Sequence, residues 1–219
     1  PYRETVLAKA DGHCRHKRQS GGAGQFGEVF LRIEPLARGA GFEFVNDIHG
    51  GTIPTQFIPA VEKGIREVLV SGPLASFPVH DVRVIIYDGK SHPVDSKEIA
   101  FSTAGRKAFI DAISKARPVL LEPIVTTEVT VPDTYIGVVT GDLSSRRGQI
   151  TGTRGLSAGI SVVMAIVPLS ELRDYQTRLK SLTGGHGSYS IELSHYEPVL
   201  PHTQMELIKM YKVHAAEED

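Results

Sequence analysis

Val119-Leu120-Leu121-Glu122-Pro123-Ile124-Val125-Thr126-Thr127-Glu128-Val129-Thr130-Val131 is a long run rich in β-branched residues, and Pro132-Asp133 ends it. The run has the composition of a strand, and the proline followed by an acidic residue starts a helix predicted to reach about Arg147. Beyond it, 148–154 and 160–167 read as strands. Pro168-Leu169-Ser170-Glu171 opens a second helix to about Leu182, and 187–196 is a last strand. The order β-α-β-β-α-β specifies a ferredoxin-like domain, an open sheet with two helices on one face.

Upstream of this stretch the pattern is different. Ile58, Val61, Ile65, Val68 and Leu69 recur at helical spacing over 57–71, and Gly72-Pro73 stops that helix. Val82, Val84 and Ile86 alternate within a strand over 79–87. Asp95-Ser96-Lys97-Glu98 has the form of a capping box. After it, Phe101, Ala104, Ala108 and Ala112 form a helical stripe that ends at Arg117-Pro118, and its small alanines predict close packing on a sheet. Segments 2–10, 13–20, 26–36 and 41–48 read as extended. The fold class is therefore α+β with two domains: an elongated α/β domain over 1–118, a ferredoxin-like domain over 119–202, and a tail over 203–219 with one short helix at 204–212.

The chain has 219 residues and a formal charge of −1. That charge is uneven, with 16 Lys+Arg against 13 Asp+Glu in 1–118 and 8 against 12 in 119–219. A mean hydropathy of −0.09 and 22% charged residues are those of an ordinary globular protein. No apolar run approaches the ~18 residues of a membrane-spanning helix, and no secretory signal opens the chain. Cys14 is the one cysteine, so no internal disulfide exists, which fits a reducing compartment. A chain that begins at Pro1 reads as a segment of something longer.

The chemistry-bearing residues cluster near the N-terminus. Arg15, Lys17 and Arg18 run into Ser20-Gly21-Gly22-Ala23-Gly24-Gln25-Phe26-Gly27, a glycine-rich connection between two strands. Cations beside a loop with an accessible backbone can neutralise phosphates and read RNA shape. The same charges could instead guard an exposed strand edge, and the residues leave both readings open. Arg146 and Arg147 end a helix, where cations complement the macrodipole. The sequence contains no Gly-x-x-x-x-Gly-Lys-Ser/Thr, so nucleotide binding of that kind is excluded. His13, Cys14 and His16 alternate along a strand with no further ligands to complete a metal site. Ser20, His92 and Asp95 could be drawn as a hydrolase triad, but no nucleophile elbow frames a serine. No catalytic residue, metal or cofactor is therefore expected.

Several ordered blocks add a family likeness. His16-Lys17-Arg18-Gln19-Ser20-Gly21-Gly22-Ala23-Gly24-Gln25-Phe26-Gly27, Gly50-Gly51-Thr52-Ile53-Pro54, Val94-Asp95-Ser96-Lys97-Glu98, Gly141-Asp142-Leu143-Ser144-Ser145-Arg146-Arg147-Gly148 and Ser194-His195-Tyr196-Glu197 resemble the C-terminal part of bacterial translation elongation factor G. The resemblance covers about residues 2–210. It implies the family's fourth domain, related to a ribosomal-protein fold, followed by its ferredoxin-like fifth domain. It further implies a cytoplasmic, monomeric, ribosome-binding segment of a translational GTPase, with GTP and Mg held in parts absent from this chain. The tip loops would enter the small-subunit decoding region and promote tRNA–mRNA translocation. On this sequence that role falls on 20–27 and on Ser91, His92 and Pro93, while Arg146 and Arg147 would contact RNA near the large subunit's GTPase-associated region. Phe26 in place of the family's usual Tyr, Ser91 before His92 where an aromatic is usual, and Gly185-His186-Gly187 for the more typical Gly-Arg-Gly mark a divergent paralogue. A role in ribosome recycling or another non-translocating step is the alternative within that family. A stand-alone hydrolase or a structural interaction domain are the alternatives outside it.

Overall fold

The computed structural model describes residues 1–19 and 21–217, with side chains up to residue 212. The chain divides into two compact units, one of Tyr2–Leu121 with the residues from Pro198 onward, the other of Glu122–Glu197 with Pro1.

In the first unit β1 (Arg3–Val6) is followed by β2 (Ala10–Arg18), β3 (Gln25–Pro35), β4 (Phe42–Asn46), α1 (Ile58–Val70), β5 (Val82–Lys90) and α2 (Glu98–Lys115). The sheet order is β2-β3-β5-β4, antiparallel except for the parallel pair β4 and β5. Alternation decides which face is buried. Val29, Leu31 and Ile33 of β3 and Val82, Val84 and Ile86 of β5 are fully buried under the two helices. The edge strand β2 has few apolar side chains, and Gly12 lets it lie against Ala108 and Ala112 of α2. The alanine stripe therefore does bring a helix close to the sheet.

Two local expectations are corrected. The strand expected over 79–87 runs from Val82 to Lys90, because Asp81 adopts a left-handed φ of 64° and its buried carboxylate takes the N–H groups of Gly39 and Gly41. The capping box does not form. The N-cap of α2 is Lys97, with no side-chain cap hydrogen bond, because the Asp95–Ser96 backbone is instead paired with β3.

The second unit is built on β6 (Pro118–Pro132), whose first four residues belong to the first unit's part of the chain and pair there with β1. Then come α3 (Ile136–Ser145), β7 (Gln149–Ser157), β8 (Ile160–Pro168), α4 (Tyr175–Leu182) and β9 (Ser188–Pro198). Each helix is entered through a short 3-10 turn, Asp133–Tyr135 and Leu169–Leu172, which follows the proline that ends the preceding strand. With β9 on β6, β6 on β8 and β8 on β7, the order is fourth-first-third-second, that of a ferredoxin-like sheet. Val125, Val129, Val163, Ala165, Val139, Leu143 and Leu179 form its core.

The tail also differs from expectation. It forms α5 (Pro201–Glu217), longer than the helix expected at 204–212, and Leu207 packs with Ala75, Leu120 and Val199 of the first unit. Gln204 fixes its start by accepting the Leu120 N–H at 3.1 Å. Of the tail residues, 218 and 219 lie outside the described residues.

Candidate nucleic-acid interface

The β2–β3 hairpin keeps its register to the last pair, Arg18 opposite Gln25, which places Arg15, Lys17 and Arg18 on the strand that delivers the chain to the glycine loop. Gly21 and Gly22 have φ of 83° and 138°, a backbone path that glycine takes without strain. Ser20, expected as a contact residue and as a triad member, lies outside the described residues.

The loop after β5 meets this hairpin from the other side. Phe26 donates its N–H to the Asp95 carbonyl at 2.9 Å, and Phe26 and Ser96 form a parallel bridge. Phe26 and Gly27, expected among the contact residues, are buried: the Phe26 ring lies under the Arg15 guanidinium at 5.5 Å and Gly27 lies against α2. They support the tip from beneath. Among the described residues of the tip, Gly21, Gly22 and Ala23 of the loop are exposed, as are Arg15, Lys17, Arg18, His92, Pro93 and Val94.

His92 is held in one orientation. Its Nδ1 accepts the backbone N–H groups of Val94 at 3.2 Å and Asp95 at 3.1 Å, which assigns the ring proton to Nε2. The Asp95 carboxylate lies 3.7 Å from the same Nδ1. A shallow cavity of about 140 Å³ separates the loops, lined by Arg15, Lys17, Lys90, Ser91, His92 and Asp95 among others. Arg15 keeps a loose ion pair with Glu28 at 3.8 Å. Among the described residues Lys17, Arg18 and Lys90 have no ion-pair partner, so their charge faces outward. Lys90 is the contact candidate that the sequence reading missed, because the strand was expected to end at Tyr87. A lysine aligned with Glu28 of β3 becomes visible only when β5 continues to the tip.

The other constellations come apart. His13 binds Glu28 at 3.1 Å and stacks on Phe30, His16 binds Gln25 at 2.9 Å, and Cys14 is half-buried with its thiol pKa raised by burial. Among the described residues no group of three or more His, Cys, Asp or Glu side chains could hold a metal ion. No described helix is long and apolar enough to cross a membrane.

Arg146 and Arg147 are engaged within the second unit. Arg146 bonds the Asp142 carboxylate at 3.1 Å and the Glu171 carbonyl at 2.6 Å, and lies over the Tyr175 ring. Arg147 makes a two-pronged pair with Glu122 at 2.9 and 3.2 Å and a third bond to Glu171 at 3.0 Å. The bonds to Glu122, first of all, hold its pKa above the ordinary arginine value. Its φ of 56° puts it in the left-handed position after α3, and the Gly148 N–H returns to the Leu143 carbonyl, as in a Schellman cap. The Glu122 side chain is 4% exposed. Arg147→Ala should therefore destabilise the second unit by about 3 kcal/mol, mostly by leaving that carboxylate buried and unpaired. Arg147→Lys should recover only part of this, since an ammonium cannot reproduce the forked pair. Denaturant titrations of the two variants check both values.

The sequence matches two family models, "Elongation factor G, domain IV" over residues 1–117 and "Elongation factor G C-terminus" over residues 119–207. It is 52% identical over 207 residues to the elongation factor G of Aquifex pyrophilus, covering 94% of this chain and 30% of that protein. A crystal structure of a Thermus thermophilus protein superposes with a TM-score of 0.85 at 42% identity, covering 97% of this chain and 32% of the other. The chain thus spans about a third or less of the length of these relatives.

Proposed function

The chain belongs to the elongation factor G family, and from that premise we propose that it is the ribosome-binding C-terminal part of a cytoplasmic, monomeric translational GTPase. Its two tip loops enter the small-subunit decoding region and promote the movement of tRNA and mRNA. The observation that supports this reading is the convergence, at one end of the first unit, of a glycine loop, an exposed imidazole fixed through its Nδ1, and three cations without ion-pair partners among the described residues. Such an assembly holds RNA by its phosphates and shape. Arg15, Lys17, Arg18 and Lys90 neutralise phosphates. His92 and the backbone of residues 21–24 approach the codon–anticodon pairs. Arg146 and Arg147 shape the surface of the second unit that faces the large subunit. GTP and Mg belong to the portion of the parent protein that precedes this chain.

In the full-length protein, His92→Ala or shortening of the 20–27 loop should slow single-round translocation about 10- to 100-fold, the cost of one lost hydrogen bond to a charged group or of the whole loop contact. Ribosome-stimulated GTP hydrolysis should change less than about threefold. Equal loss of both activities would contradict the assignment of function to the tip.

A further inference from the structure

Ser96 sits where the two loops cross. Its Oγ accepts the His92 N–H at 2.7 Å and donates to the Phe26 carbonyl at 3.1 Å. One hydroxyl thus serves both loops, in the two roles that a serine or threonine oxygen can fill at once. A second interlock lies one residue earlier. A Cβ on Gly24 would stand 2.6 Å from the Asp95 carboxylate carbon, so any side chain in that place must displace the Asp95 carboxylate. Asp95 in turn gives its carbonyl to Phe26 and its N–H to the His92 ring. The contacts therefore run from Gly24 and Phe26 through Asp95 to the His92 ring and through Ser96 to the His92 backbone N–H.

We propose that Ser96 is a positioning residue that clasps the two tip loops into one unit, so that the glycine loop sets the orientation of the His92 ring. The consequence for translocation rests on the function proposed above, but the clasp itself does not. With Ser96→Ala the His92 N–H and the Phe26 carbonyl lose their shared partner, and the loops move independently. Threonine keeps the hydroxyl and should keep the clasp.

Amide hydrogen exchange and ring ¹⁵N shifts of the full chain test this. Ser96→Ala should speed exchange of the His92 amide, which loses its acceptor, by about tenfold, the effect of one lost hydrogen bond, and should speed exchange of the Phe26 amide, held by the Asp95 carbonyl across the same crossing, by a smaller factor as the loops separate; Ser96→Thr should restore both rates. Gly24→Ala, made in the other loop, should alter the ¹⁵N signature of the His92 ring. Faster exchange confined to His92, failure of threonine to restore it, or a His92 ring indifferent to Gly24→Ala would each overturn the clasp. In the full-length protein Ser96→Ala should slow translocation as much as His92→Ala, and the double substitution should be no worse than either. If exchange couples the loops but neither variant affects translocation, the clasp stands and the proposed role of the tip falls.

Discussion

Gly64→Ala should destabilise the first unit by about 3 kcal/mol and lower its unfolding midpoint by roughly 10 °C. Gly64 lies on α1 where it crosses α2, and a Cβ there would collide with the Ser102 carbonyl and stand 3.1 Å from the Arg106 nitrogen. These are backbone atoms of a packed helix, so no rotamer change relieves the clash. Gly105 on α2 meets the Val61 backbone in the same way, with the carbonyl 2.8 Å from its absent Cβ. To admit a methyl group the helices must separate, which loosens the packing of Val61, Ile65, Phe101 and Ala104, all fully buried. Alanine's better helix propensity returns about 1 kcal/mol, too little to reverse the sign. Gly141→Ala on α3 is the control. Nothing lies within 4 Å of its Cβ position, so the propensity term acts alone and should raise stability by about 0.5–1 kcal/mol. Opposite signs for the same substitution in two helices would show that the α1–α2 crossing depends on close approach; a stabilising Gly64→Ala would refute it.

The second large effect is electrostatic. Replacing Arg15, Lys17 and Arg18 together by alanine removes three exposed charges from the strand that feeds the glycine loop. If each neutralises about one phosphate, the slope of log affinity against log salt should shrink by about 2 to 3, because fewer counterions are released. At low salt that amounts to a loss of about 100-fold or more. Folding should barely respond, since exposed ion pairs contribute little and only Arg15 has one, at 3.8 Å. A large loss of binding without loss of stability separates an RNA-contact role from that of a charged strand edge, the other reading of these residues.

What could be read in advance follows from the range of the interactions. Ile58, Val61, Ile65 and Val68 mark the packed side of α1 by spacing alone, and the β-α-β-β-α-β order of the second unit is carried by local composition. Contacts between distant segments were not legible. The sequence Asp95-Ser96-Lys97-Glu98 satisfies a local capping pattern, but the Asp95 carbonyl and the Ser96 hydroxyl are bound to Phe26, about 70 residues earlier in the chain. Tertiary pairing won over the local motif. Arg147 looked like a cation at a helix end, yet its partner Glu122 lies inside a strand. The available signal was an acidic residue flanked by Leu121 and Pro123 in an otherwise apolar run, because a carboxylate placed there must find a donor. Glu4 gives the same lesson: it is 2% exposed and takes the N–H groups of Leu74, Ala75 and Phe77 at 2.7 to 3.0 Å.

The most direct test of the central claim, that the cationic tip contacts ribosomal RNA, is co-sedimentation of this chain with ribosomes across a salt series, beside the Arg15, Lys17 and Arg18 triple alanine variant. The account predicts binding that weakens steeply with salt in the native chain and a shallower slope and lower affinity in the variant. Binding with the same strength and salt slope in both, or no salt-dependent binding by the native chain, would contradict it.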